Sequence, residues 1–207
     1  IGCPKLDAVD AKTGYETGKP YLLAAYDVRL GADGTLTEYR RIGADDEASG
    51  TKWFVYVCTP PRMKRYNGNT YVDTMSPEAM AEFIRVTHEA YKKAVGNDFG
   101  GSIPAIFTDE PQFAAKQTLP FAASKNDIKL PYTTDFAETF KKEYGIDLIE
   151  HLPELLWDLP ESTPSRVRYL YHNHACERFT RAFADQLGKW CDENGILLTG
   201  HMMSEDT

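Results

Sequence analysis

The sequence predicts an α/β protein in which an antiparallel β-meander stands before a run of parallel strands and helices. Three observations carry that prediction. Residues 21–58 hold three strand-like stretches parted by turn residues; residues 76–95 and 163–193 repeat apolar side chains at three and four; and short apolar runs at 103–107 and 196–198 lie beside those helices. Alternating strands and helices of this kind form right-handed crossovers and a parallel sheet.

Taken in order, residues 1–19 show no period and read as an irregular lead-in. Tyr21 to Leu30 is apolar and aromatic, Gly31-Ala32-Asp33-Gly34 is a hairpin turn signal, and Thr35 to Ile42 alternates like a half-exposed strand. After the polar loop from Gly43 to Gly50, Lys52 to Cys58 supplies the third strand, ended by Pro60-Pro61. Lead-in and meander make up a first unit, residues 1–66, and residues 67–207 a second.

The second unit opens with a short strand at Tyr71-Val72-Asp73. Ser76 is a good N-cap, Pro77 suits the first helical position and Glu78 adds a favourable charge to the first turn. Met80, Phe83, Ile84, Thr87, Tyr91, Ala94 and Val95 then trace one face of a helix that Gly96 ends. The run Ile103-Pro104-Ala105-Ile106-Phe107 reads as a parallel strand buried on both faces.

Residues 111–133 are too long for a simple connection, and Phe113, Leu119, Phe121 and Tyr132 predict a structured loop rather than a disordered one. Two shorter helices are expected at 134–144 and 148–157. Thr163-Pro164 starts a long helix with a stripe through Val167, Leu170, Tyr171, His174, Phe179, Ala182, Phe183, Leu187 and Trp190. Asn194-Gly195 stops it, and a last strand follows from Ile196 to His201.

Composition narrows the function. The chain has 207 residues, 42% of them hydrophobic, and a net charge of -8 from 23 basic and 31 acidic side chains. Phosphate binding needs a concentrated positive face, so nucleic acid is not the expected partner. No apolar stretch reaches the ~20 residues that span a bilayer, and none of the given residues reads as a signal peptide. A first residue other than Met and an apolar run close to the last residue make both ends read as cut. Cys3, Cys58, Cys176 and Cys191 show no close pair, which reads as free or buried thiols rather than a zinc site or disulfide scaffold. No cofactor or metal is expected.

The chemistry concentrates at strand ends. Asp109 and Glu110 close one strand before Pro111, and His201 closes the next, with Glu205 four residues on. Parallel strands bring their carboxyl ends to one edge, so these groups converge although far apart in sequence, and Asp73 joins the same rim. Paired carboxylates suit glycoside hydrolysis, in which one protonates the leaving oxygen and another activates water or attacks carbon. Glu110 is the candidate acid and Glu205 the second carboxylate, while Asp109, His201 and Asp73 are substrate contacts. Trp53, beside an exposed turn, is the indole best placed to hold a sugar; Trp157 and Trp190 read as core. His88, His151, His172 and His174 read as structural. Two other readings stay open: a metal-dependent hydrolase using Asp73, Asp109, Glu110 and His201, and a noncatalytic carbohydrate-binding module built on the aromatic strands. The plain alternative for Asp109 and Glu110 is an ordinary acidic turn.

The stretches Trp53-Phe54-Val55-Tyr56-Val57, Asn67 to Asp73, Ser76-Pro77-Glu78-Ala79, Phe83-Ile84, Thr87 to Tyr91, Phe107 to Pro111, Trp190 to Gly195 and Thr199-Gly200-His201, in that order, resemble large bacterial glycoside hydrolases of the alpha-L-rhamnosidase type and their uncharacterised relatives. The resemblance covers roughly residues 50–205. It implies a partial (β/α)8 barrel with the antiparallel meander as an insertion, a glycan or glycoside substrate, and an exported parent, secreted or periplasmic. In similar enzymes a glutamate at the end of the fourth barrel strand is the general acid, and Glu110 matches it. An incomplete barrel would expose apolar edges and favour self-association.

Overall fold

The computed structural model of the chain describes residues 20–202. The chain divides into two compact units. Among the described residues, the first holds those up to Tyr71 together with Lys116–His172, and the second holds Val72–Ala115 together with those from Asn173 to Met202. The lead-in expected at residues 1–19 lies outside the described residues.

In the first unit three antiparallel strands, β1 (Tyr21–Leu30), β2 (Leu36–Ile42) and β3 (Thr51–Val57), form a sheet of order β2-β1-β3. The expected hairpin joins β1 to β2: Gly34 N–H donates to Gly31 O at 3.0 Å, and Asp33 Oδ1 accepts from Thr35 N–H at 3.1 Å. The three strands do not form a meander, however, because β3 returns to the free edge of β1. Asp27 anchors that return. Its buried carboxylate accepts from the N–H groups of Ser49 at 3.0 Å and Gly50 at 2.7 Å. Gly50 is required there, since a β-carbon would stand 2.3 Å from Val28 O.

The central strand is also the most buried, with Ala24, Ala25, Tyr26 and Val28 all enclosed. On the core side, Tyr26 donates its hydroxyl to Ile149 O in a 3₁₀ segment, Leu148–Leu155. That segment is also held to β2, where Tyr39 OH donates to Glu154 Oε1 at 2.5 Å and contacts His151 Nδ1 at 2.8 Å. Ser165 Oγ donates to the other oxygen of Glu154 at 2.7 Å. His151 is therefore a structural residue, as its sequence setting indicates.

The second unit is built on helices α1 (Pro77–Phe83) and α2 (Glu89–Val95) and on one parallel strand pair. Ser76 caps α1 as expected, its Oγ accepting from Ala79 N–H at 3.2 Å. A π-helical turn, Ile84–His88, joins the two helices and adds a residue to the local period. The inward position consequently falls on His88, while Tyr91, expected on the buried face, is exposed. Strand β4 (Ala105–Asp109) follows, then, in the first unit, α3 (Phe136–Tyr144). The long helix divides into α4 (Arg166–Phe179), a π-helical turn (Thr180–Asp185) and α5 (Gln186–Glu193), and β5 (Leu197–His201) ends the described chain. Most of its stripe is buried, with Val167, Tyr171, His174, Ala182, Phe183, Leu187 and Trp190 enclosed, while Leu170 and Phe179 are half-buried.

The expected partial (β/α)8 barrel is not the fold. Among the described residues one three-stranded antiparallel sheet and one two-stranded parallel sheet are present, and neither closes into a barrel. Tyr71-Val72-Asp73 is irregular rather than a strand. There Asp73 Oδ1 accepts from Met75 N–H at 3.0 Å, so a local turn leading into the Ser76 cap competes with sheet pairing.

Candidate functional site at the strand ends

Strands β4 and β5 pair in parallel with Ala105 opposite Leu197, Phe107 opposite Thr199 and Asp109 opposite His201. Alternation sends Ile106 and Leu198 inward, where they pack against the cluster of Trp190, Cys191 and Ile196. The same alternation turns the other set outward. Phe107 is 57% exposed and Leu197 68%, so the strands are not buried on both faces as expected. An acidic side chain and an imidazole at the strand ends thereby share an accessible face with an aromatic ring.

His201 Nδ1 lies 3.5 Å from Asp109 Oδ1, and its ring meets Phe107 edge-on at 5.1 Å. Glu110 follows directly. Its backbone takes a left-handed conformation, φ 46°, which ends the strand, and its N–H donates to His201 O at 3.1 Å. That bond extends the parallel ladder one residue beyond Asp109 and ties Glu110 to the end of β5. The Glu110 side chain is exposed.

Gly200 makes this close pairing possible. A β-carbon there would stand 1.9 Å from Thr108 O, and its φ of 152° is one that side-chain-bearing residues rarely adopt. The two strand ends approach each other without obstruction because residue 200 has no side chain.

Asp109, Glu110 and His201 are thus brought together. Asp73 is engaged in its own turn, Trp53 stands on β3 in the first unit, and Glu205 lies outside the described residues. Among the described residues no group of three or more His, Cys, Asp or Glu is arranged to hold a metal ion, so a ligand set of Asp73, Asp109, Glu110 and His201 does not form. Phe107 was the residue that sequence reasoning passed over. It shares parity with Asp109 along β4, and that spacing is the signal that places it on the same face.

Fold and site together define a mixed α/β protein whose small parallel sheet ends in an acid–imidazole pair. Set beside known proteins, the chain matches no family model, no curated protein and no solved structure. Among the described residues no helix is long and apolar enough to cross a membrane.

Proposed function

We propose that the β4–β5 strand ends cleave glycosidic bonds, with Glu110 as the proton donor. The observation that carries this reading is the register match of Asp109 with His201, which sets Glu110, a carboxylate–imidazole pair and the exposed Phe107 ring at one edge. The chemistry of such a site does not depend on a barrel, since function belongs to the site rather than to the fold.

The Glu110 carboxylic acid gives its proton to the glycosidic oxygen as the bond from that oxygen to the anomeric carbon breaks. A water adds to that carbon and loses its proton to a second carboxylate, the role that the sequence assigns to Glu205. Asp109 and His201 bind sugar hydroxyls, the carboxylate as acceptor and the imidazole through whichever nitrogen faces the ligand. Phe107 offers an apolar ring to the C–H face of a pyranose.

The test is hydrolysis of paired glycosides by the chain and its Glu110→Gln variant. Loss of the acid should slow cleavage of an unactivated alkyl glycoside by about 10²–10⁴-fold. A nitrophenyl glycoside, whose leaving group needs little protonation, should lose far less. Equal turnover of the alkyl glycoside by both proteins would overturn the assignment.

A further inference from the structure

The first unit carries a separate, half-open cleft of about 420 Å³ at one end of the antiparallel sheet. Its size falls in the range of about 300–1,000 Å³ that small-molecule sites occupy. Trp53 and Trp157 lie along it, their rings edge-to-face with centroids 5.1 Å apart. Trp157 is buried and donates Nε1–H to Ala122 O at 2.8 Å, which fixes the 122–125 loop that forms one wall. Trp53 is only partly buried, and Thr51 beside it provides a hydroxyl, while the Ser49 hydroxyl donates to Asp27 Oδ2 at 2.9 Å.

Two cations also line the cleft, Arg29 and Lys125. Arg29 is engaged, with Nη1 to Glu38 Oε2 at 3.0 Å and Nη2 to Ser49 Oγ at 2.6 Å. Lys125 has no hydrogen bond or ion pair among the described residues. On a chain whose net charge is -8, an unengaged cation beside a partly open indole marks a place for an anion with an apolar face.

We propose that this cleft binds an acidic monosaccharide, a pyranose ring carrying a carboxylate. The ring's C–H face lies on Trp53, a ring hydroxyl reaches Thr51, and its carboxylate pairs with Lys125. Aromatic surface with a hydroxyl beside it fits a sugar ring better than it fits a bare phosphate, which is gathered by backbone N–H groups and arginine forks. The Trp53 pocket does not depend on the chemistry assigned to Glu110.

The experiment is calorimetry with methyl glucuronide, methyl galacturonide and neutral methyl glucoside, using the full chain carrying Glu110→Gln so that no cleavage disturbs the titration. At least one acidic sugar should bind more tightly than the neutral one. Lys125→Ala should weaken acidic-sugar binding roughly tenfold and leave neutral-sugar binding unchanged. Trp53→Ala should abolish both, but this residue also packs against Trp157, so the exposed Lys125 is the variant that decides. No binding of either acidic sugar, equal affinity for acidic and neutral sugars, or an unchanged affinity in Lys125→Ala would each overturn the proposal.

Discussion

His201 Nδ1 lies 3.5 Å from Asp109 Oδ1 at the matched ends of two parallel strands, with the two side chains 62% and 75% exposed. An acid–imidazole contact so open to water contributes at most about 1 kcal/mol. The pairing of β4 with β5 holds the residues there, rather than their mutual attraction. His201→Ala should therefore shift the urea midpoint little while raising the KM for a cleaved glycoside. A large loss of stability with unchanged KM would show that the imidazole serves the fold and not the ligand.

Gly200→Ala should behave in the opposite way. The new β-carbon would meet Thr108 O at 1.9 Å, and the strand pair must part to admit it. Backbone strain and overpacking together cost on the order of 2–4 kcal/mol. Urea unfolding should show the loss directly, and any activity at the strand ends should fall with it.

His88 should make the protein acid-sensitive. It is buried between the rings of Phe83 and Trp190, and among the described residues neither ring nitrogen has a hydrogen-bond partner. Burial pushes its pKa below the ordinary value, against the nearby Glu89 carboxylate, which pulls it up. In the unfolded chain the imidazole titrates near its usual value of about 6.5. Below that pH the unfolded state takes up a proton that the folded state refuses, so stability is full above about 6.5 and falls as pH drops toward the folded value. His88→Phe should flatten the fall in urea midpoint between neutral and mildly acid pH.

Asp27 should act at lower pH and in the same direction. Backbone N–H groups of Ser49 and Gly50 hold its carboxyl far below the usual carboxylate range, against the effect of burial, with the Ser49 hydroxyl and Arg40 adding to the hold. Stability from this group is present above the unfolded value of about 3.9 and is lost as pH falls through the lower folded value. Asp27→Asn should lower the urea midpoint at neutral pH and reduce the acid slope. An unchanged midpoint would mean that the 43–50 loop is held by other contacts.

Much of the local structure is legible in the residues. Ser76 and Pro77 begin α1 where cap and proline preferences put it, Gly34 with Asp33 makes the first hairpin turn, and most of the stripe of the long helix is buried. The strand-end group of Asp109, Glu110 and His201 is legible too, because an apolar run broken by acid and proline marks where a strand stops. Phe107 was obscured because a fully apolar run does not say which of its faces a helix will cover. His88 reads as structural, but its place on the buried face depends on a π-helical turn that shifts the period by one residue.

By itself, then, the order of residues determined the first hairpin turn, the start of α1 and which polar groups stand at the tips of β4 and β5. Those features depend on neighbours a few positions away. Only the tertiary structure decided that β3 joins β1 instead of β2, that two parallel strands keep one face bare, and that no barrel closes among the described residues. Each of these depends on which distant segments meet, as Asp27 meets Ser49 and Gly50, and the pattern of a single strand is compatible with several partners.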